Sequence, residues 1–211
     1  WLAIKGGTPA ASHGHMDVGS FCYEAHGHRW IYDLGHDNYN LPGYFGEQRF
    51  SYYLTQNRSH NTLEIDGKLQ NAKSEPCPVS AITEASNPQL PIGATFDLSD
   101  AYAGAARKVL RSARFQPETG VALIEDEITA PKGDVVWRAF TDADCEIKGD
   151  QVVLSKNGKQ ISLRKVSEGG TWSVIKATPP TDAEKQNERY RAVVLTVPKA
   201  ARIKLEVEIK P

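Results

Sequence analysis

Apolar and polar residues alternate along most of this chain in short runs rich in Val, Ile, Thr, Tyr, Trp and Phe. That period-two pattern belongs to strands that bury one face. It is clearest at Phe21 to Ala25, Trp30 to Leu34, Leu110 to Phe115, Val121 to Ile128, Val135 to Thr141, Thr171 to Ala177, Arg191 to Val197 and Arg202 to Ile209. Between Val152–Leu154 and Ile161–Leu163 lies Lys156-Asn157-Gly158-Lys159, whose Asn-Gly pair supplies the positive φ angles of a tight hairpin. Pro117-Glu118-Thr119-Gly120 separates two further runs, and Asp66-Gly67 follows Thr62 to Ile65. Three hairpin-like units predict antiparallel sheet, and this many short strands must pack sheet on sheet. The expectation is one all-β domain over residues 1–211, a large multi-stranded antiparallel β-sandwich with little helix. Residues 41–48, 71–79 and 86–93 read as loops, because Pro, Gly, Asn and charges break every period there. The polar stretch 178–189 has some helical character and reads as a solvated linker.

Composition narrows the function. Twenty-five Lys and Arg against 26 Asp and Glu give a formal charge of -1, so no single-sign excess draws the chain to nucleic acid or an anionic membrane. No window approaches the roughly 18 to 20 apolar residues of a membrane span. Trp1 stands first and the single methionine is Met16, so further sequence is expected upstream. Cys22, Cys77 and Cys145 lack CxxC spacing, which argues against a thiolate metal site and a disulfide scaffold. Buried, unpaired thiols acting as small hydrophobes are expected.

All six histidines fall within the first 60 residues. In Ser12-His13-Gly14-His15-Met16-Asp17, three potential ligands occupy alternate positions, and an extended strand would send them to one face. A zinc site takes imidazole and carboxylate donors from such a surface, normally with one from a distant strand. His60 and Asp33 are candidates for that distant contribution. His26-Gly27-His28 is an equally tidy pair, better placed as an exposed turn, and spacing alone does not rank the two. A lone histidine is more often a satisfied surface or core residue than a ligand.

Ser12-His13-Gly14-His15-Met16-Asp17-Val18-Gly19-Ser20-Phe21, then Gly27, Trp30, Asp33, Gly35 and Tyr39, then Tyr53, Ser59-His60-Asn61-Thr62, Asp66-Gly67 and Gln70, form an ordered set of blocks. This set resembles the C-terminal domain of heparinase II/III-like polysaccharide lyases. The similarity continues through Arg107 to Arg111 and Val121 to Glu127. The resemblance implies a supersandwich-like β-domain that follows a helical toroid in the same protein. It further implies a structural zinc ion held by His15, Asp33 and His60, with water as fourth ligand. By the same resemblance His13 is an active-site histidine that binds the uronate carboxylate. Tyr39 or Tyr44 faces the substrate cleft, and Asp17 and Asn61 orient the imidazoles. The implied reaction is β-elimination on a uronic-acid-containing polysaccharide, a glycosaminoglycan or alginate, in the periplasm or outside the cell. The toroid supplies the principal tyrosine and a further histidine, so this chain alone is expected to be inactive.

Two other classes compete. Gly7 followed by His13-Gly14-His15 imitates the start of a cupin metal motif, but the Glu a few residues on and the second block are missing. A non-catalytic carbohydrate-binding sandwich would use exposed aromatics such as Trp1, Trp30, Trp137 and Trp172, yet tryptophans in strands usually face the core.

Overall fold

In a computed structural model that describes residues 1–83 and 88–211, the chain forms 15 strands in three antiparallel sheets, with no α-helix among the described residues. β1 (Leu2–Ile4), β2 (Phe21–Ala25) and β3 (His28–Ile31) make a three-stranded sheet. The second sheet has eight strands in the order β10-β11-β12-β15-β8-β7-β6-β5. These are β5 (Val79–Ile82), β6 (Ile92–Asp97), β7 (Lys108–Phe115), β8 (Ala122–Thr129), β10 (Asp144–Lys148), β11 (Gln151–Lys156), β12 (Lys159–Lys165) and β15 (Arg202–Lys210). The third, in the order β13-β14-β9-β4, holds β4 (Leu63–Ile65), β9 (Val135–Thr141), β13 (Thr171–Lys176) and β14 (Arg191–Val197).

The hairpin turns form where local chemistry specified them. Asn157 and Gly158 take φ of 52° and 72°, and Lys156 pairs directly with Lys159. His26 and Gly27 do the same between β2 and β3, with φ of 54° and 76°. Asp66-Gly67 turns tightly too and closes a single antiparallel bridge, Ile65 to Lys68, but no second strand follows, and β4 pairs with the distant β9. Four strands carry too little pattern to be anticipated: β1 is three residues long, β10 is a polar edge strand, and β5 and β6 fall partly inside expected loops. In β6, a Cβ on Gly93 would lie 2.4 Å from the Ala113 carbonyl oxygen, so a glycine that reads as a breaker permits close strand approach. Of the expected loop 86–93, Ser86 and Asn87 lie outside the described residues, and Ile92-Gly93 open β6.

One core joins the sheets. Trp137 of β9 packs on Phe21 of β2 at 5.7 Å and on Trp172 of β13 at 6.1 Å, over the inward faces of β7, β8 and β15. Trp30, Trp137 and Trp172 are buried, whereas Trp1 is exposed. The outer face of β9 and β14 is also covered, by Leu34, Leu54 and Ala177 around Phe140 and Val194. That double burial explains the unbroken apolar run Ala192 to Leu195. Residues 178–189 form no helix and are mostly exposed, as expected, but the segment is anchored at points. Glu184 and Asn187 are buried, Glu184 accepts from the Tyr53 N–H at 2.6 Å, and the Lys185 N–H donates to Asp37 at 2.9 Å. The three cysteines are free and half-buried. No helix among the described residues is long and apolar enough to cross a membrane.

Candidate metal centre and aromatic face

Three loops meet at one edge of the sandwich. The β1–β2 connection carries His13, His15 and Asp17, the segment after β3 carries Asp33 and Tyr39, and His60 follows three short 3-10 turns between Arg49 and Ser59. The first of these loops is not the extended strand that would send three side chains to one face. His13 adopts φ of +59°, and Gly14 lies so tightly against the chain that a Cβ there would sit 2.5 Å from the Pro9 carbonyl oxygen. The reversal separates the side chains: His15 and Asp17 turn inward, and His13 is exposed. Ala at position 14 is expected to force the backbone apart and destabilise the domain by about 1–3 kcal/mol, readable as a lower denaturation midpoint at unchanged slope.

Inward, His60 is fully buried. Its Nδ1 lies 2.8 Å from Asp33 Oδ2, and its Nε2 faces the Leu54 carbonyl oxygen at 3.2 Å. If Nε2 carries the proton for that carbonyl, Nδ1 presents a lone pair to a carboxylate oxygen. Two acceptors at this distance need a cation between them, either a proton or a metal ion. The Asp33 charge and hydrogen bond raise the His60 pKa despite burial. Burial opposes ionisation of Asp33, but His60 outweighs it and holds the carboxyl below its usual range. Asp33 also accepts from the Gly35 N–H at 2.8 Å and the Ser20 hydroxyl at 3.3 Å. Burial, with the neighbouring His60 and Arg49, lowers the His15 pKa to about 3, leaving a neutral imidazole with a lone pair to give.

Donor atoms of His15, Asp17 and His60 all lie within 4.8 Å of one another. Asp17 Oδ2 is held by the Lys5 ammonium at 2.6 Å, while its buried Oδ1 has no hydrogen-bond partner among the described residues. Two imidazoles and the Asp17 carboxylate, with its unpartnered Oδ1, fit a divalent cation of the zinc type; Asp33 lies against His60 Nδ1 and is not part of this mutually close set. Asp17 therefore reaches the centre itself, beyond the orienting role expected of it. Asn61 contacts neither ring; its amide donates to the Phe21 and Tyr32 carbonyls, both at 2.7 Å, and accepts from the Phe140 N–H at 2.7 Å. It positions His60 and Asp33 through the backbone.

Outward, the His13 ring lies edge-on to Phe45 at 5.1 Å and 6.3 Å from Tyr39. Tyr39 in turn packs on His36 at 4.7 Å, Phe45 at 5.0 Å and Tyr44 at 5.5 Å. Tyr39 is 48% exposed, whereas Tyr44 is buried and supports it from beneath. Arg49 joins the two sides, donating twice to the Gly14 carbonyl at 2.9 and 3.0 Å and once to Tyr44 at 3.1 Å. Nothing in the loop's sequence period marked Arg49. His26 sits exposed in its hairpin turn, with His28 opening β3.

The heparinase II/III-like C-terminal family model matches residues 1–206. This chain belongs to that family. A heparinase III solved with methylated lysines is similar in fold, with a TM-score of 0.73 and 18% identity over 100% of this chain and 32% of its own. A heparan sulfate lyase mutant from Pedobacter heparinus gives 0.71 and 15%, again over 100% and 32%. This heparinase II/III-like domain thus spans about a third of the solved chains it matches. A search of the curated proteins found no match.

Another part of the arrangement was not anticipated from the sequence. Arg111 of β7 and Asp126 of β8, both fully buried, pair bidentately at 2.7 and 2.8 Å. Arg111 Nη1 also donates to the carbonyls of Gly19 at 2.8 Å and Asn61 at 3.0 Å. One guanidinium thereby pins the His15–Asp17 loop and the His60 loop to the same sheet. A signal existed: both charges occupy inward positions of otherwise apolar alternations.

Proposed function

We propose that this domain is the metal-binding half of a polysaccharide lyase acting on uronic-acid-containing chains by β-elimination. The observation that carries the reading is the convergence of His15, His60 and Asp17, with Asp33 against His60, beneath a loop that turns His13 outward beside Tyr39. His15, Asp33 and His60 would hold zinc, with the Asp17 oxygen as a fourth donor. When bound, the ion supplies a rigid, charged cross-link between three loops rather than a reacting group. Asn61, Arg111 and Arg49 fix the backbones that present His13.

On the outer face His13 would donate a hydrogen bond to the uronate carboxylate, stabilising the charge that develops when the C5 proton leaves. Tyr39, within the same aromatic cluster, would contact the sugar. The electron pair of the broken C5–H bond forms the C4–C5 double bond and expels the glycosidic oxygen. Abstraction and leaving-group protonation require groups within hydrogen-bonding reach of those atoms, and we assign them to a helical domain of the same protein. A polymeric uronate substrate fits a periplasmic or extracellular setting.

His13→Ala in the full-length protein is expected to lower kcat about 10²-fold while leaving metal content unchanged, read from the ultraviolet absorbance of the 4,5-unsaturated product. The isolated domain is expected to give no such absorbance. Undiminished turnover by His13→Ala, or turnover by the domain alone, contradicts the assignment.

A further inference from the structure

We propose that the surface around Tyr32 is a second binding site, one that takes the carboxylate of a uronic acid within a polysaccharide chain. The choice of polymer rests on the function proposed above; the site itself rests on a different set of side chains. Tyr32 precedes Asp33, but its ring turns away from the metal cluster and meets Tyr190 edge-on at 5.4 Å. Three cations converge on that one ring: the Lys156 ammonium at 5.1 Å and the guanidinium carbons of Arg29 and Arg189, each at 5.9 Å. Arg189 also stacks on Tyr190 at 4.7 Å.

All three sheets contribute to this cluster: Arg29 in β3 with Tyr32 just after it, Lys156 at the end of β11, and Arg189 and Tyr190 in the turn that leads into β14. Gathering like charges is unfavourable unless something offsets it. Glu24 pairs with Arg29 at 2.6 Å, and a single Asp142 serves both Lys156, at 2.6 Å, and Arg189, at 3.4 Å. Two carboxylates thus face three cations. The contact to Asp142 is long for Arg189, whose side chain is 65% exposed, so its planar fork of donors is available to a further carboxylate. Arg189 and Tyr190 line an open groove of about 590 Å³ with Lys185 and Glu188 on its wall, and Arg189 borders a second hollow of about 300 Å³ with Arg191, Asp142 and Asp144. A chain running along the two hollows would pass its acidic groups over Arg189. Tyrosine edges and cations side by side suit a sugar ring that carries a charge.

The test uses unsulfated polyuronate oligosaccharides and the same chains with carboxyls reduced to alcohols, titrated calorimetrically at low salt. The protein is a His13→Ala/Tyr39→Ala variant, in which the other face is disabled. Binding of the acidic chain is expected to persist there. Arg189→Glu should weaken it at least tenfold and Arg189→Gln less, with unchanged melting temperatures, and the reduced chain should not bind. Equal affinity in Arg189→Glu, equal binding of the reduced chain, or no binding of the acidic one overturns the proposal. Elimination is read separately: absence of unsaturated product from the full-length protein, with Arg189-dependent binding intact, removes the lyase reading and leaves this site standing.

Discussion

Replacing Asp126 with alanine is expected to destabilise the domain by about 3–5 kcal/mol, because it strands a buried guanidinium without its counter-ion. For a domain of this size that corresponds to a fall in Tm of about 10 °C. Arg111 and Asp126 have no exposed side-chain surface, and the pair makes two short, parallel hydrogen bonds. The remaining donor capacity of Arg111 goes to the Gly19 and Asn61 carbonyls. An Arg111→Leu/Asp126→Leu double variant separates the two roles. Removing both charges avoids the stranded guanidinium, but two buried carbonyls then lack a donor, at about 1–3 kcal/mol each, so melting recovers only in part. Metal affinity should also fall in the double variant, because the two loops lose their shared anchor. A melting temperature unchanged in Asp126→Ala contradicts this account of how the loops are held.

Chelation is expected to lower Tm by a similar amount. A ligand at a thousand times its Kd stabilises the folded state by about 4.1 kcal/mol, equivalent to about 8–16 °C for a domain of this length. The metal-free domain should nevertheless stay folded at 25 °C. Its core of Trp137, Phe21 and the inward residues of β7, β8 and β15 includes none of the candidate ligands, and a proton can replace the metal between His60 and Asp33. Spectra of backbone structure should be preserved after chelation while the transition moves down. If metal removal is verified and the transition does not move, the ion is not a cross-link.

How much of this was legible in the sequence varies with the range of the interaction. Turns such as Asn157-Gly158 depend on two residues and were readable directly, as were strands with clean alternation such as Val135 to Thr141. Strands of few or polar residues were not, because β1 and β10 exist through the partners they pair with. The segment 178–189 looked solvated since its polar residues find their partners far away, in Tyr53 and Asp37.

The same division holds at the site. Periodicity placed His13, His15 and Asp17 on one face, but a single positive φ at His13 sends it elsewhere. Only the family resemblance linked positions 15, 33 and 60. Periodicity had marked Asp17 as a potential ligand where the resemblance gave it only an orienting role, and neither approach anticipated that Arg49 would tie Gly14 to Tyr44. Arg111 and Asp126 were the missed opportunity: a charge in an inward register position is a local signal with a long-range meaning.

The central claim is that His15, His60 and their carboxylates share one cation. Its most direct test is the metal content of the purified domain by mass spectrometry, alongside a His60→Ala variant shown to be folded. About one zinc per chain in the wild type and almost none in the variant is the predicted result. A folded wild type that carries no divalent metal and takes none up on dialysis, or a variant that keeps its full complement, would contradict it.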